Sequence, residues 1–331
     1  MLTTRLTQKL DITHPIISAP MAFASGGKLA AAVSDAGGLG LIGGAYGDSQ
    51  WIEREIKEAG NQKIGCGFIT WALKKKPELL DQVLEHTPKA IFLSFDDPKP
   101  FSDKIKQAGS QLICQIQTMQ DMKHAVDCGA DIIVAQGSEA GGHGIGTDGG
   151  RGTFTLVPEV ADWLAKHAPD VLLCAAGGIG DGRGLAASLM LGADGVLVGS
   201  RFWASKESLA HPNMLKAAIQ SDGDATIRSS VMDIAREIDW PKRYTARVLK
   251  NGFTDQWHED QEALIAAGKA EADKWRVAWA EGNTDIANTF VGEVTSLIQD
   301  IPSAQHIIDE MVGEASKLIR NHGTKTVKLE R

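Results

Sequence analysis

No apolar run in the chain approaches the roughly 18 residues that a membrane-spanning helix requires. The opening residues, Met1-Leu2-Thr3-Thr4-Arg5-Leu6, lack the apolar core of a signal peptide. The expectation is a cytoplasmic protein with no membrane partner. Positive charge is not in excess either. The net charge of -8 is spread along the sequence, which argues against holding nucleic acid or an anionic surface through bulk charge and favours a small ligand. Cysteine is scarce: Cys66, Cys114, Cys128 and Cys174 stand singly in apolar stretches with no Cys-x-x-Cys pair. Neither a zinc site nor a disulfide framework is indicated, so these read as reduced core residues. His-Glu-x-x-His, Gly-x-Ser-x-Gly and Gly-x-x-x-x-Gly-Lys-Ser/Thr are all missing. Support for a zinc hydrolase, a serine hydrolase and a nucleoside triphosphatase falls accordingly.

What is present is enough apolar material for a large core, with 43% hydrophobic and 23% charged side chains over 331 residues. Short apolar runs recur at Pro15–Ile17, Leu39–Ile42, Ile64–Ile69, Ala90–Leu93, Gln111–Ile116, Ile132–Ala135, Val171–Ala176 and Gly195–Val198. Stretches of helical spacing lie between them, including Leu29–Val33, Leu79–Leu84, Met122–Val126 and Leu185–Met190. Helix ends are punctuated by glycine turns such as Ala36-Gly37-Gly38 and Leu191-Gly192-Ala193, because glycine accepts the left-handed conformation that closes a helix. Strands buried on both faces and separated by helices make a parallel sheet. Eight such units favour closure into a (β/α)8 TIM barrel over an open doubly wound sheet.

One interval breaks the rhythm. Between Ala135 and Val171 there is room for a loop far longer than the others, on the face of the barrel where active sites are built. Beyond Phe202 the pattern shifts to longer helical segments, predicted at Gln261–Ala280, Ile286–Ile298 and Ser303–Ile319, the last with Ser303 as its N-cap. The expected organisation is a barrel from residues 1–212 and 300–331, with 213–299 a smaller, mainly helical inserted domain serving as a substrate lid.

Three segments carry candidate chemistry. After the seventh barrel strand comes Ala176-Gly177-Gly178-Ile179-Gly180, and one unit later Gly199-Ser200-Arg201. Glycines there let backbone N–H groups approach an anion, and loops after strands seven and eight often form a phosphate site, with Gly177 and Gly178 on one side and Gly199 and Ser200 on the other. After the sixth strand comes Gln136-Gly137-Ser138-Glu139-Ala140-Gly141-Gly142-His143-Gly144. Its glycines are expected to hold the His143 imidazole on an open, ligand-facing loop, where it can exchange a proton near neutral pH. Glu139 is expected to order that loop. After the first strand, the small residues and turn of Ser18-Ala19-Pro20-Met21-Ala22 suit a flat ring laid against the backbone. The other histidines show no carboxylate pairing or ligand spacing in the sequence. Trp203, Trp240 and Trp257 read as packing residues.

Taken together, Ile17-Ser18-Ala19-Pro20-Met21, Ala36–Gly44, Gln136–His143, Ala176-Gly177-Gly178-Ile179 and Gly199-Ser200-Arg201-Phe202 resemble the nitronate monooxygenase family, formerly called 2-nitropropane dioxygenase. The resemblance spans nearly the whole chain. It implies FMN as cofactor, held by Ala19, Pro20, Met21, Gln115, Gly137, Gly142, Ala176, Gly177, Gly178, Gly199 and Ser200, with His143 catalytic and no metal. The reaction implied is oxidation of an alkyl nitronate with O2 to a carbonyl compound and nitrite, without NADH. A homodimer is compatible with the sequence and not required by it. The same superfamily contains flavin-dependent enoyl-ACP reductases and NADH:quinone reductases, so an NAD(P)H-dependent flavin reductase is the alternative. Gly67–Trp71 and Cys114–Thr118 resemble the monooxygenase branch, whereas Ser205–Asn213 also resembles the enoyl reductases. Gln115 stands where the quinone reductases carry a lysine. Arg247 and Asn251 lie in a stretch common to the superfamily, with no role assigned from sequence.

Overall fold

The computed structural model describes residues 2–146 and 149–321. In chain order the strands are β1 (Ile16–Ser18), β2 (Leu41–Gly43), β3 (Gly65–Ile69), β4 (Ala90–Ser94), β5 (Gln111–Ile116), β6 (Ile132–Gln136), β7 (Gly142–Ile145), β8 (Leu172–Ala176), β9 (Gly195–Val198), β10 (Thr226–Ser229) and β11 (Tyr244–Leu249). Eight of them form one sheet in the order β1-β9-β8-β6-β5-β4-β3-β2. All its pairings are parallel, and a parallel bridge between Ile17 and Leu39 brings its two edges together into a nearly closed barrel. All eight runs expected as barrel strands are barrel strands, the one at Ala90 included.

Alternation along each strand divides the apolar side chains between two cores. Ala90 and Phe92 of β4, with Ile132 and Val134 of β6, fill the barrel interior, and Leu6 and Leu10 of the helix Arg5–Leu10 pack into the same cluster. Ile91, Leu93, Ile133 and Ala135 face the surrounding helices. The four cysteines are buried and unpaired, and burial pushes the Cys66 thiol up to about 12. Arg5 grips Asp194 through two 2.7 Å contacts, while Asp194 accepts the Leu173 N–H, fastening the N-terminal helix beneath β8 and β9.

Ser303 caps the helix Ala304–Arg320 by accepting the His306 N–H, as expected. That helix buries Ile307, Ile308, Met311 and Ala315 against the helices Gly182–Met190 and Gly27–Asp35, completing the outer ring. The expected continuation of the barrel to residue 331 extends past the described residues at 322–331.

The segment 213–299 departs from expectation in detail. It contains helices at Val231–Ala235, Gly252–Trp257, Gln261–Ala267 and Lys269–Glu281, but also β10 and β11. These two strands pair antiparallel, and β11 recruits β7 from the long loop after β6 into a three-stranded sheet. The single helix predicted at Gln261–Ala280 is divided at Gly268, whose φ is +57°. The helix predicted at Ile286–Ile298 does not form; only a 3-10 turn, Glu293–Leu297, is found. Its backbone groups are taken by other partners: Leu249 N–H donates to Thr289 O, and Glu293 N–H donates to Glu139 O. Tertiary hydrogen bonds have displaced the i to i−4 ladder.

Candidate functional site

A cavity of about 530 Å³ opens at the C-terminal ends of the barrel strands. One side is built from the barrel. Gly43 and Gly67 carry no side chain where the Ala19-Pro20-Met21 turn crosses β2 and β3. A Cβ at Gly67 would lie 2.3 Å from the Pro20 ring, and one at Gly43 would lie 2.6 Å from Met21 O. The turn therefore settles into the barrel mouth and presents backbone and small side chains to the cavity.

Across from it, Gly177 and Gly178 follow β8 with φ of +97° and +74°, values that L residues rarely adopt. A Cβ at Gly177 would also approach Gly137 O to 2.9 Å. Gly199 and Ser200 follow β9 and line the same cavity, and the space beside Gly199 is open to ordinary contact with Ala19 and Met21. A flat slab of apolar wall beside a glycine-lined recess fits a planar, phosphorylated group; the recess offers backbone dipoles rather than metal ligands.

The other side is built from the long loop and residues 213–299. His143 lies in β7, opposite Ala246 of β11. It is therefore held in a strand, and the expectation of an open loop is corrected: only 9% of its side chain is exposed. Its Nε2 is 2.9 Å from Asp233 Oδ2, and its ring stacks on Trp240 at 3.6 Å between centroids with 8° between planes. Because an ionised carboxylate only accepts, Nε2 carries the proton in this bond. Burial lowers the His143 pKa below its ordinary value; Asp233 opposes the shift without cancelling it, and Arg236 and Arg228 add to it. Burial thus favours the neutral imidazole. Arg236 lines the cavity beside this pair, its Nη1 3.7 Å from Asp233 Oδ1.

An aromatic wall surrounds Trp240: Phe95 and Trp71 lie 5.2 Å away, Tyr46 6.2 Å, and the indole N–H donates to the Tyr46 hydroxyl. Burial raises the Tyr46 pKa, so the phenol stays protonated. In the cavity wall, Gln136 Oε1 accepts from Gln115 and from Gln117 beside it, while Gln136 Nε2 donates to His143 O. These amides fix the orientation of Gln115 and tie it to the strand carrying His143.

The loop between β6 and β7 is stapled from beneath. Ser138 O accepts from Arg228 Nη2 at 2.9 Å and from Arg247 Nε and Nη2 at 3.2 and 3.1 Å. Burial and the neighbouring Arg247 bring the Arg228 pKa down to about 10. Glu139 accepts the Thr153 N–H and so holds the start of the helix Thr153–His167, the ordering role expected of it. Asn251 caps the helix Gly252–Trp257 and donates to Thr284 O. Arg247 and Asn251 thus acquire structural roles.

The structure brings Ala19, Pro20, Met21, Gln115, Gly142, His143, Ala176, Gly177, Gly178, Gly199 and Ser200 to one cavity. Gly137 is absent from its lining: its N–H donates to Ala176 O, and a Cβ there would strike Thr153 Oγ1 at 2.0 Å, so its work is close packing behind the recess. Sequence reasoning missed Asp233, Arg236 and Trp240. Asp233, a lone acid in a short apolar helix, carries no local signal; only β-pairing reveals its partner. Trp203 and Trp240 line the cavity rather than merely packing, whereas Trp257 joins the packing of residues 213–299. Carboxylate partners unseen in the sequence also appear elsewhere, His86 with Glu53 and His124 with Asp97 among them. No helix among the described residues is long and apolar enough to cross a membrane.

Residues 3–63 and 70–314 match the sequence pattern of the nitronate monooxygenase family. A protein of Neurospora crassa named nitronate monooxygenase is 32% identical over 347 residues, spanning 92% of this chain and 90% of its own. A Rhodococcus jostii protein named (3aS,4S,5R,7aS)-5-hydroxy-7a-methyl-1-oxo-octahydro-1H-indene-4-carboxyl-CoA dehydrogenase is 28% identical, spanning 96% of this chain and 97% of its own. Among solved structures, FabK from Thermotoga maritima superposes with a TM-score of 0.82 at 28% identity, spanning 97% of this chain and 99% of that one.

Proposed function

Because the chain belongs to the nitronate monooxygenase family of oxidoreductases, we propose that it is an FMN-dependent nitronate monooxygenase, converting alkyl nitronates and O2 to carbonyl compounds and nitrite. The observation that carries this reading is a buried histidine–aspartate pair facing a glycine-lined recess across one cavity. Ala19, Pro20, Met21, Gln115 and Gly142 would hold the flavin ring system, and Gly177, Gly178, Gly199 and Ser200 its phosphate. FMN, when bound, supplies the electron acceptor for the organic substrate and the route to oxygen.

The protein's own part is proton handling, orientation and exclusion of water. With Nε2 committed to Asp233, the other imidazole nitrogen, Nδ1, meets the substrate. In the neutral form favoured by burial, Nδ1 is a base able to take the α-proton of a nitroalkane, and Asp233 stabilises the imidazolium that results. An anionic nitronate would instead draw a proton onto Nδ1 and receive a charge-assisted hydrogen bond from it. Stacking on Trp240 fixes the ring plane, Arg236 offsets the charge of Asp233, and the aromatic wall keeps the reacting atoms away from bulk water. On this reading residues 213–299, with β7, form the substrate lid over a barrel made by the rest of the chain.

The likeness to FabK favours a second reading, an NAD(P)H-dependent flavin reductase. Oxygen uptake with a small alkyl nitronate, run beside NADH and NADPH oxidation with quinone, separates the two. Rapid uptake with nitrite release and no pyridine nucleotide is the expected result. Silence there with fast NAD(P)H oxidation would move the protein to the reductase reading.

A further inference from the structure

Away from the cavity, three side chains of metal-binding type converge. His124 and Cys128 lie four positions apart at the end of the helix Met119–Asp127, which puts them on one face, and Asp97 reaches them from the loop after β4. His124 Nε2 is 2.7 Å from Asp97 Oδ1 and 3.6 Å from Cys128 Sγ, and the three ligand atoms all lie within 4.8 Å of one another.

Two ordinary explanations fit poorly. A surface ion pair would account for His124 and Asp97 but not for a thiol turned to the same nitrogen. A cysteine–histidine–aspartate relay uses the two different ring nitrogens, one toward the nucleophile and one toward the acid; here both partners address Nε2. Convergence on one point is what a shared cation requires. Around tetrahedral zinc, bond lengths of about 2.0–2.3 Å separate a thiolate sulfur from an imidazole nitrogen by about 3.6 Å, and a carboxylate oxygen from that nitrogen by about 3.3 Å. The first separation is already met, and the second needs Asp97 to withdraw by about half an ångström.

We propose that Asp97, His124 and Cys128 form a three-ligand Zn2+ site, with water as the fourth ligand. One sulfur, one nitrogen and one oxygen donor suit zinc better than magnesium or calcium, which prefer all-oxygen shells. The same Asp97 Oδ1 also accepts the Lys99 N–H at 2.9 Å, which fixes the carboxylate against its own loop. Zinc would displace the thiol proton and lock the β4 loop to the helix after β5. That loop carries Phe95, which packs on Trp240 in the aromatic wall, and Phe95 has a φ of +63°. The site therefore amends the expectation that no metal is involved, as a structural clamp beside the cavity rather than part of it.

The test is calorimetric titration of the tag-free, reduced, chelator-treated full chain with Zn2+, together with X-ray absorption at the zinc edge. One equivalent bound, with one sulfur scatterer that disappears in Cys128→Ser, is the expected result, and His124→Ala should weaken binding about tenfold or more. Asp97 and His124 are partly exposed, so Asp97→Asn and His124→Ala should unfold at the wild-type temperature without zinc, separating ligand loss from misfolding. No stoichiometric binding, a zinc shell without sulfur, or a sulfur that survives Cys128→Ser would overturn the proposal.

Discussion

The two sides of the cavity are built on opposite principles. The barrel side offers glycines, a proline turn and backbone dipoles, set at the ends of parallel strands whose spacing is fixed by the sheet. The inserted side offers side chains, His143, Asp233, Arg236 and Trp240, held by an antiparallel sheet assembled from segments about a hundred residues apart. A backbone surface can hold an invariant ligand closely but handles protons poorly. A side-chain surface can titrate and discriminate, but needs a network to fix its rotamers, here the glutamine bridge and the arginine staples. On the proposed function, holding falls to one side and proton handling to the other, and substitutions can test whether the two separate.

The largest expected effect is at His143. His143→Asn should lower turnover of neutral nitroalkanes by about 100- to 10,000-fold, the usual worth of a positioned acid–base group, while the purified protein keeps its flavin. Unchanged turnover would remove the proton-handling role, and colourless protein would join the two sides. Gly178→Val attacks the other side. A valine side chain there would stand in the recess between the backbone N–H groups and the phosphate, which should weaken flavin binding about tenfold or more, read as the flavin-to-protein ratio after gel filtration. Protein still purifying fully yellow would contradict the placement of the recess.

A finer separation comes from pH. Because burial holds the His143 pKa below the ordinary histidine value, kcat/KM for a neutral nitroalkane should be level at pH 7 and fall as acid protonates the ring. Asp233 raises that pKa. Asp233→Asn should therefore move the acid limb to lower pH and reduce the plateau about tenfold. An acid limb that does not move would place the titrating group elsewhere. The smallest effect concerns neither side: Ser303→Ala removes the cap of the closing helix and should cost about 1 kcal/mol in denaturant unfolding with kcat unchanged.

The barrel was legible because its signal is local. Each strand is a run of consecutive apolar residues, each helix end a glycine turn, and Ser303 a cap with its acceptor on its own side chain. The backbone side of the site was legible for the same reason: Gly177 and Gly178 announce a backbone that other residues resist, next to the strand that places them. The inserted segment was less so. The pattern Tyr244-Thr245-Ala246-Arg247-Val248-Leu249 has the alternation of a half-buried strand, yet its partners on both sides are distant in sequence. Ile286–Ile298 has helical composition but surrenders its backbone hydrogen bonds to β11 and the His143 loop.

The sequence alone determined the βα repeat, the glycine recess and the family to which these belong, since each follows from residues that are neighbours along the chain. Only the tertiary structure decided what His143 is. A histidine among glycines is free in sequence; once β7 pairs with β11 it is buried, stacked on Trp240 and bonded to Asp233, ninety positions away. Its protonation state depends on desolvation and on charges brought near by folding. Neither is written in local sequence, because both are properties of distance through space.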